Sequence, residues 1–353
     1  MRIPITGIGV IAPGAIGIEA FRALLASGGS AVAEVDRFDT SGLSAHKAAL
    51  VRDFKPKDFI PAMKMRRMNT LSRLGVAAAK LAIEDCGAAL QPDTGVAIGT
   101  AFGPVQTSVE YMQEYAEKGA ALAPPQLFAE SVANAPGSHI AIEWGLRGFN
   151  VTITQRESSA LAAAMYAATQ LAKGSASAAL IGGVEEANEM LFSVLDRIGA
   201  LAYDGHPGIT LGEGGAVLVA GAGTRKPYGW LAGFGIARDA TATISNYGRN
   251  PVVNVRAMQS AVEDARVDKI DAVYVSMNGA PLCDEVEREA LMLFPRAELV
   301  RTKQVFGEYA AGGALQIAAA LVALDESRYD NVLVNSVSAG GGIVCAVLTK
   351  EAA

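Results

Sequence analysis

Cysteine and histidine, the side chains that most often act as nucleophile and general base, are scarce in this chain of 353 residues. There are three of each, namely Cys86, Cys283, Cys345, His46, His139 and His206. The odd number of cysteines and their unrelated spacing predict neither a disulfide framework nor a Cys-x-x-Cys metal site. We therefore predict that the protein resides in a reducing cytoplasm and that it binds neither a metal nor a cofactor.

The charge balance limits the partners that this chain can bind. It carries 36 acidic and 30 basic residues, a net charge of -6, whereas contact with nucleic acid requires lysine and arginine clustered over a whole face. One basic cluster remains, formed by Lys64, Arg66 and Arg67. The first fourteen residues lack the pattern of an export signal, and no apolar run reaches membrane-spanning length. The sequence thus predicts no nucleic-acid partner and no membrane span.

Two kinds of segment alternate along the chain. Short apolar runs beside glycines predict buried strands at residues 3–11, 94–102, 150–154, 178–184, 216–222, 272–276, 332–336 and 343–349. Segments of helical period predict helices at residues 18–26, 72–86, 105–118, 158–173, 252–265, 284–293 and 310–324. This alternation predicts an α/β fold of layered sheets with crossover helices.

A stretch of glycines, charges and a proline at residues 221–227 is the best candidate joint in the chain. It divides the sequence into predicted halves of residues 1–222 and 223–353. The one long segment without a periodic pattern is 238–250, which predicts a loop that is either functional or simply exposed.

Residues 4–13 resemble the first strand of the β-ketoacyl synthases, and residues 62–69 resemble the basic segment that follows in that family. Further matches follow in the family's order at residues 99–103, 144–154, 179–185, 211–214, 257–265, 281–284, 302–303, 307 and 335–336. The resemblance spans essentially the whole chain. It implies a thiolase-like fold, in which two related halves stack into alternating helix and sheet layers.

The same resemblance implies that the catalytic residues of the family are missing. A ketosynthase places its cysteine nucleophile at a strand-to-helix turn, and the matching turn of this chain carries Arg156. The family's two histidines correspond to Ser276, or Asn278 if the register slips, and to Glu308. An arginine cannot carry an acyl group, and a carboxylate would repel the enolate that forms during condensation. We therefore predict no catalytic residues of the usual kind.

The charge of Arg156 beside a helix N-terminus requires compensation, because the helix dipole is positive at that end. Glu157 is adjacent in sequence, and the resemblance brings Glu308 close. These relations predict an ion pair between Arg156 and Glu308 that fills the former active site. The alternative is a solvated surface arginine.

The resemblance also implies partners. Within the family, the chain most resembles the chain length factors. These are degenerate subunits that pair with an active ketosynthase. Such pairs act in type II polyketide synthesis, including the systems that make aryl polyenes, or in fatty-acid-like synthesis. It assigns subunit pairing to the strand that carries Asn150, Thr152 and Thr154. It assigns the border of the acyl-chain cavity to four further residues, Tyr111, Met112, Tyr115 and Phe128.

In the same family the region of Lys64, Arg66 and Arg67 faces the acidic acyl carrier protein, which carries its acyl chain on phosphopantetheine. Each of these assignments has a plainer alternative. The basic cluster fits an ordinary solvated helix face equally well, and the aromatic residues fit core packing.

Two other functions stay open at this point. The first is an enzyme that processes acyl thioesters with a relocated nucleophile, for which Cys86, Ser158 and Ser276 are the candidates. Against it, Cys86 ends a predicted helix that Gly87 caps, and no histidine remains in the second half to act as base. The second is a homodimeric scaffold or carrier-protein binder without a condensing partner.

Overall fold

The computed structural model describes residues 2–309 and 312–352. Across these residues the strands are β1 (Ile3–Ala12), β2 (Ala15–Ile16), β3 (Ala33–Glu34), β4 (Lys47–Ala48), β5 (Gly95–Gly99), β6 (Asn150–Ile153), β7 (Ala179–Glu185), β8 (Gly214–Ala220), β9 (Gly229–Arg238), β10 (Ala272–Tyr274), β11 (Glu298–Val300), β12 (Asn331–Val337) and β13 (Gly342–Thr349). The helices are α1 (Ile18–Ser27), α2 (Ala62–Met65), α3 (Thr70–Cys86), α4 (Val105–Lys118), α5 (Pro125–Glu130), α6 (Ala135–Trp144), α7 (Ser159–Ala172), α8 (Glu189–Arg197), α9 (Pro251–Ala265), α10 (Pro281–Ala290), α11 (Lys303–Phe306) and α12 (Gly313–Asp325).

The order of the strands shows two related halves. The main sheet runs β11-β10-β12-β13-β9-β1-β8-β7-β5-β6, which reads as two sets of five strands in mirrored order. In each set the outermost three strands pair in parallel and the other pairings are antiparallel. The sets meet where Ile3 and Ile5 pair with Leu231 and Gly229. The mixed α/β, thiolase-like architecture predicted from the sequence is confirmed.

Helices cover both sets of strands on both faces. Helices α7 and α12 lie in the middle layer, and residues 313–324 of α12 are all buried. Helix α3 packs on the outer face of the first set, and α9 packs on the outer face of the second. The layers therefore alternate between helix and sheet.

In each half, the outer helix packs closely against the sheet at a glycine of the strand beneath it. A Cβ on Gly9 of β1 would lie 1.9 Å from the carbonyl oxygen of Ala78 in α3. A Cβ on Gly235 of β9 would lie 1.9 Å from the carbonyl oxygen of Ala257 in α9. Only glycine permits such a close approach of helix to strand backbone. The close packing of α3 and α9 on the sheet therefore requires glycine at these two positions.

All seven predicted helices are present, with ends that shift by a few residues. The last one begins at Gly313, and residues 310 and 311 of its predicted range lie outside the described residues. The sequence patterns missed β9, because Gly233 and Gly235 interrupt its apolar run, and missed α6, which carries Pro136 and Gly137 near its start. They also missed α8. None of the helices described here combines the length and hydrophobicity that crossing a lipid bilayer requires.

The candidate joint lies in the connection between β8 and β9, and the division into residues 1–222 and 223–353 stays a prediction. The predicted loop at 238–250 connects β9 to α9. Its residues Ser245, Asn246 and Tyr247 contribute to the wall of an internal cavity.

Candidate functional site

A cavity of about 490 Å³ lies where the two halves meet, and it contains the predicted site residues Arg156 and Glu308 in its wall. Most of the remaining wall is apolar. It is formed by Phe102, Leu195, Ile198, Ala200, Pro207, Ile209, Leu211, Ala280, Pro281, Leu282, Tyr309 and Ala339, with Tyr247 and Glu157. Such a cavity, apolar with a few polar groups at one end, suits a ligand that has an alkyl part and a polar end.

The strand-to-helix turn that the resemblance assigned to a nucleophile is present and well hydrogen-bonded. It follows β6 and leads into α7, and Arg156 at its tip has a φ angle of 50°, in the left-handed region. The Ser159 hydroxyl donates to the carbonyl oxygen of Arg156 at 2.6 Å and accepts the N–H of Gln155 at 2.8 Å. Because an arginine in this conformation costs about 1–3 kcal/mol, the surroundings must hold the turn in place.

A glycine on the neighbouring strand makes this turn possible. Gly99 ends β5, and a Cβ there would lie 2.5 Å from the backbone nitrogen of Ala160 and 2.5 Å from the backbone carbon of Ser159. The start of α7 therefore rests directly on the backbone of β5. The turn presents the side chain of residue 156 into the cavity.

The predicted ion pair between Arg156 and Glu308 is wrong. Among the described residues, the Arg156 guanidinium makes no ion pair and no hydrogen bond, and its Nε is buried. Instead the guanidinium carbon lies 4.9 Å from the centre of the Phe102 ring. The ring face carries partial negative charge, so it compensates the cation in the way that a carboxylate was expected to do.

Glu308 pairs with Lys303 instead. The Lys303 Nζ lies 2.6 Å from Glu308 Oε2, and the side chains of the two residues are 5% and 3% exposed. The same Nζ donates to the carbonyl oxygen of Ser276 at 2.9 Å. Burial opposes the charged form of Lys303, but the neighbouring Glu308 carboxylate raises the pKa of the ammonium above its ordinary value. Lys303 begins α11 and Glu308 follows that helix five residues later, so the Glu308 carboxylate is paired within its own segment.

The two alternatives for the first histidine position have different surroundings. Ser276 is fully buried, and its Oγ accepts the N–H of Val337 at 2.9 Å, outside the cavity wall. The Asn278 amide donates to Glu308 Oε2 at 2.8 Å and to the Tyr247 hydroxyl at 3.0 Å. Tyr247 in turn donates to Glu157 at 3.1 Å. Of the two, Asn278 is the one that hydrogen-bonds to residues of the cavity wall, although it does not itself line the cavity.

The alternative nucleophiles do not reach this cavity. Cys86 is buried at the end of α3, where Gly87 caps the helix with a φ angle of 67°. Burial raises the pKa of the Cys283 and Cys345 thiols well above the ordinary value, which disfavours the reactive thiolate. The Ser158 hydroxyl is fully buried and donates to the carbonyl oxygen of Ser336 at 3.0 Å. Among the described residues, no cysteine or histidine lines the cavity.

The strand that was assigned to subunit pairing lies at the open end of the sheet. Among the strands described here, β6 pairs only with β5. The carbonyl groups of Phe149 and Ile153 bond to β5, so the backbone groups of the alternate residues Asn150 and Thr152 point away from it. Thr154 just beyond the strand is exposed.

The residues assigned to the cavity border form an exposed apolar surface on α4 and α5. Tyr111 packs on Phe128 with ring centres 5.5 Å apart and on Tyr115 at 6.3 Å. Met112 lies in a surface groove of about 550 Å³ between α4 and α8, which Phe102 also lines. In the basic cluster, Lys64 pairs with Glu143 at 2.8 Å, while Arg66 and Arg67 are exposed.

Sequence reasoning missed Phe102 and Tyr247 as parts of the site and did not assign Lys303 a role in it. Phe102 follows β5 within the matched stretch 99–103, so its position next to the turn was available from the family order. Tyr247 lies in a segment without a periodic pattern, so the sequence carries no signal that would predict its position at the site. Lys303 lies in the matched pair 302–303, five residues before Glu308.

Comparison with known proteins identifies the family. The model of the β-ketoacyl synthase N-terminal domain matches residues 1–223, and that of the C-terminal domain matches residues 228–333. The chain is 31% identical to the tetracenomycin polyketide synthase ketoacyl synthase beta subunit of Streptomyces glaucescens, over 91% of this chain and 85% of that protein. It is 28% identical to 3-oxoacyl-(acyl-carrier-protein) synthase 2 of Vibrio harveyi, over 79% of this chain and 72% of that protein.

A solved structure described as the ishigamide ketosynthase/chain length factor has the same fold, with a TM-score of 0.90, 24% sequence identity and 99% of both chains covered. The layered halves, the strand-to-helix turn and these matches agree with one another. The chain belongs to the β-ketoacyl synthase family.

Proposed function

We propose that this chain is a non-catalytic, chain-length-factor-like subunit that pairs with an active ketosynthase in type II polyketide or fatty-acid-like biosynthesis and shapes the cavity for the acyl chain. The observation that carries the proposal is Arg156 at the tip of the strand-to-helix turn. A guanidinium cannot form the acyl thioester on which condensation depends, and it stands where the family's nucleophile belongs. The beta-subunit name of the Streptomyces glaucescens relative supports the assignment.

The polar end of the cavity gives further support. Condensation in this family requires donors that stabilise an enolate, and here the second-histidine position holds the carboxylate of Glu308. Its Oε2 is already bonded to Lys303 and Asn278. The other oxygen, Oε1, is buried without a partner among the described residues, so this position offers an acceptor where condensation needs a donor.

The rival function, an enzyme with a relocated nucleophile, lacks a comparable observation. Its three candidate nucleophiles are buried outside the cavity wall. A cytoplasmic location, a heterodimer with a ketosynthase and docking of an acyl carrier protein on Lys64, Arg66 and Arg67 remain parts of the proposal.

The test is co-expression with each ketosynthase of the source genome, followed by purification through a tag on this chain. We expect one ketosynthase to copurify and the pair to condense malonyl-carrier protein, while this chain alone forms no product. Turnover of an acyl or malonyl thioester by the isolated chain, or the absence of any ketosynthase partner, would contradict the proposal.

The open edge of β6 allows a sharper test of pairing. In Thr152→Pro the partner-facing N–H is lost while the bonds to β5 remain, because residue 152 points away from β5. We expect this variant to fold but to lose the copurifying ketosynthase. The matched control is Thr152→Val, which keeps the N–H and should retain the partner.

A further inference from the structure

One cationic side chain faces the internal cavity. Among the described residues, Arg156 is the only lysine, arginine or histidine in the cavity wall. Its guanidinium makes no ion pair and no hydrogen bond with these residues, and its Nε is buried. The Phe102 ring, 4.9 Å away, compensates the charge only in part, because a ring cannot accept the in-plane N–H groups of a guanidinium as an anion does. The donors of Arg156 are therefore available to a ligand.

The two carboxylates in the same wall are engaged by other donors. The oxygens of Glu157 accept hydrogen bonds from the Tyr247 hydroxyl at 3.1 Å and from the N–H of Ala339 at 3.0 Å. Glu308 is held in its buried ion pair. A cation at the wall of a largely apolar cavity gains strongly from an anion, since little water is there to solvate it. A ligand would have to supply that anion.

The turn presents Arg156 in a fixed position. The Ser159 hydroxyl joins the Arg156 carbonyl to the N–H of Gln155, and the close approach of Gly99 supports the start of α7 beneath it. A guanidinium on a rigid turn is prepared for binding, and its planar fork matches the two oxygens of a carboxylate.

The rest of the cavity defines the remainder of the ligand. Its wall is mainly aliphatic, with Leu195, Ile198, Ile209, Leu211 and Leu282 among the lining residues. An alkyl chain fits such a wall. Because Glu157 and Glu308 also line the cavity, a doubly charged head group such as a phosphate monoester is disfavoured relative to a singly charged one.

We propose that the cavity is a binding site for a free alkyl carboxylate, a fatty acid, whose head group pairs with Arg156 while its chain lies along the aliphatic wall. The ligand is bound without a covalent step. This site goes beyond the proposed function, because it lies within this chain and requires neither a ketosynthase nor a carrier protein.

The experiment measures binding to the isolated chain by calorimetry, with decanoate, the neutral decanamide and decyl phosphate as probes, each below its micelle concentration. We expect wild type to bind decanoate at least about ten-fold more tightly than decanamide, and more tightly than decyl phosphate. Arg156→Met should abolish the preference for decanoate over decanamide. Its retained affinity for decanamide would show that the cavity is intact.

Two further variants separate charge from shape. Arg156→Lys keeps a cation and should retain a preference for decanoate over decanamide. The matched control is Arg147→Met, which removes an exposed arginine outside the cavity and should leave both affinities unchanged.

A second measurement locates the ligand. With ¹³C-methyl isoleucine labelling, decanoate should shift the signals of Ile198 and Ile209 in the cavity wall. The signal of Ile142, which is exposed on α6, should stay in place.

Equal affinities of wild type for decanoate and decanamide would overturn the proposal, as would an unchanged preference for decanoate in Arg156→Met. Tighter binding of decyl phosphate than of decanoate, or shifts confined to surface isoleucines, would do the same. Loss of decanamide binding in both Arg156→Met and Arg156→Lys would show that Arg156 shapes the cavity instead of binding the head group, which also contradicts the proposal. No ketosynthase is present, so these failures are distinct from a failure of pairing.

Discussion

The two sides of the cavity compensate their charged side chains in different ways. On the side of the turn, Arg156 has no charged partner among the described residues, and its position depends on backbone geometry and an aromatic ring. On the opposite side, Glu308 is paired with Lys303 and hydrogen-bonded to Asn278. On the first side the charge is held by a hydrogen-bonded turn and a ring, whereas on the second side it is paired within a polar network in which Glu308 Oε1 has no partner among the described residues.

This difference indicates which side of the cavity contributes more to the stability of the fold. A buried ion pair is sensitive to loss of one partner, because the other charge remains without compensation. Replacing a side chain that stacks on a ring beside a cavity lowers the free energy of unfolding only slightly. We therefore expect substitutions at the second side to affect folding, and substitutions of Arg156 to affect ligand binding. The predictions below test this contrast.

The largest effect is expected from Glu308→Gln. This change leaves the Lys303 ammonium buried without an anion and should lower the free energy of unfolding by about 3–5 kcal/mol. Urea denaturation followed by circular dichroism measures it. Replacing both members of the pair, in Lys303→Met with Glu308→Met, should recover at least half of the loss, because neither buried charge remains. A loss in the double variant as great as the sum of the two single losses would refute coupling between them.

On the side of the turn, the backbone should matter more than the charge. Gly99→Ala places a methyl group against the start of α7, and overpacking of this kind costs about 1–3 kcal/mol. The matched control is Gly42→Ala, because a Cβ at Gly42 meets nothing within 4 Å. If both variants unfold at the same urea concentration as wild type, the close approach of β5 to α7 is not what holds the turn.

Each side also has a buried carboxylate that holds backbone N–H groups, and both should make stability depend on pH. Glu185 holds Ala101 and Phe102, and burial raises its pKa to about 8; Glu287 holds Ser276 and Met277, and burial raises its pKa to about 7. The folded pKa values exceed the ordinary value of 4.5, so folding favours the protonated form. The stabilising contribution of these two groups is then fully present below about pH 4.5 and is lost as the pH rises through about 7 and 8.

Between pH 5.5 and 8.5 the free energy of unfolding should fall, by on the order of 1 kcal/mol per pH unit. Glu185→Gln cannot ionise and should reduce the slope at every pH up to about 8, whereas Glu287→Gln should reduce it only up to about 7. Stability that increases over this range would have the opposite sign to the one expected.

The sequence predicted the layered fold because strand and helix periods are local properties, and the family order of the motifs fixed how the elements connect. It also predicted that Arg156 and Glu308 meet at one cavity. It did not predict their partners, since the choice between Glu308 and Phe102 for Arg156 depends on distances of a few ångströms. The pair of Lys303 and Glu308 shows the same limit, because only the folded loop reveals that the ammonium turns toward its own segment.

The smallest effect is expected from Arg156→Gln. This substitution keeps a long polar side chain in the left-handed turn and removes only the cation over the Phe102 ring, which is worth about 0.5–1 kcal/mol near solvent. A double-mutant cycle with Phe102→Leu measures the coupling directly, because the ring is lost while an apolar side chain remains. A coupling of that size, beside a loss several times greater in Glu308→Gln, would confirm that position 156 tolerates exchange because its side chain contributes little to folding. Equal losses in Arg156→Gln and Glu308→Gln would remove the distinction between the two sides.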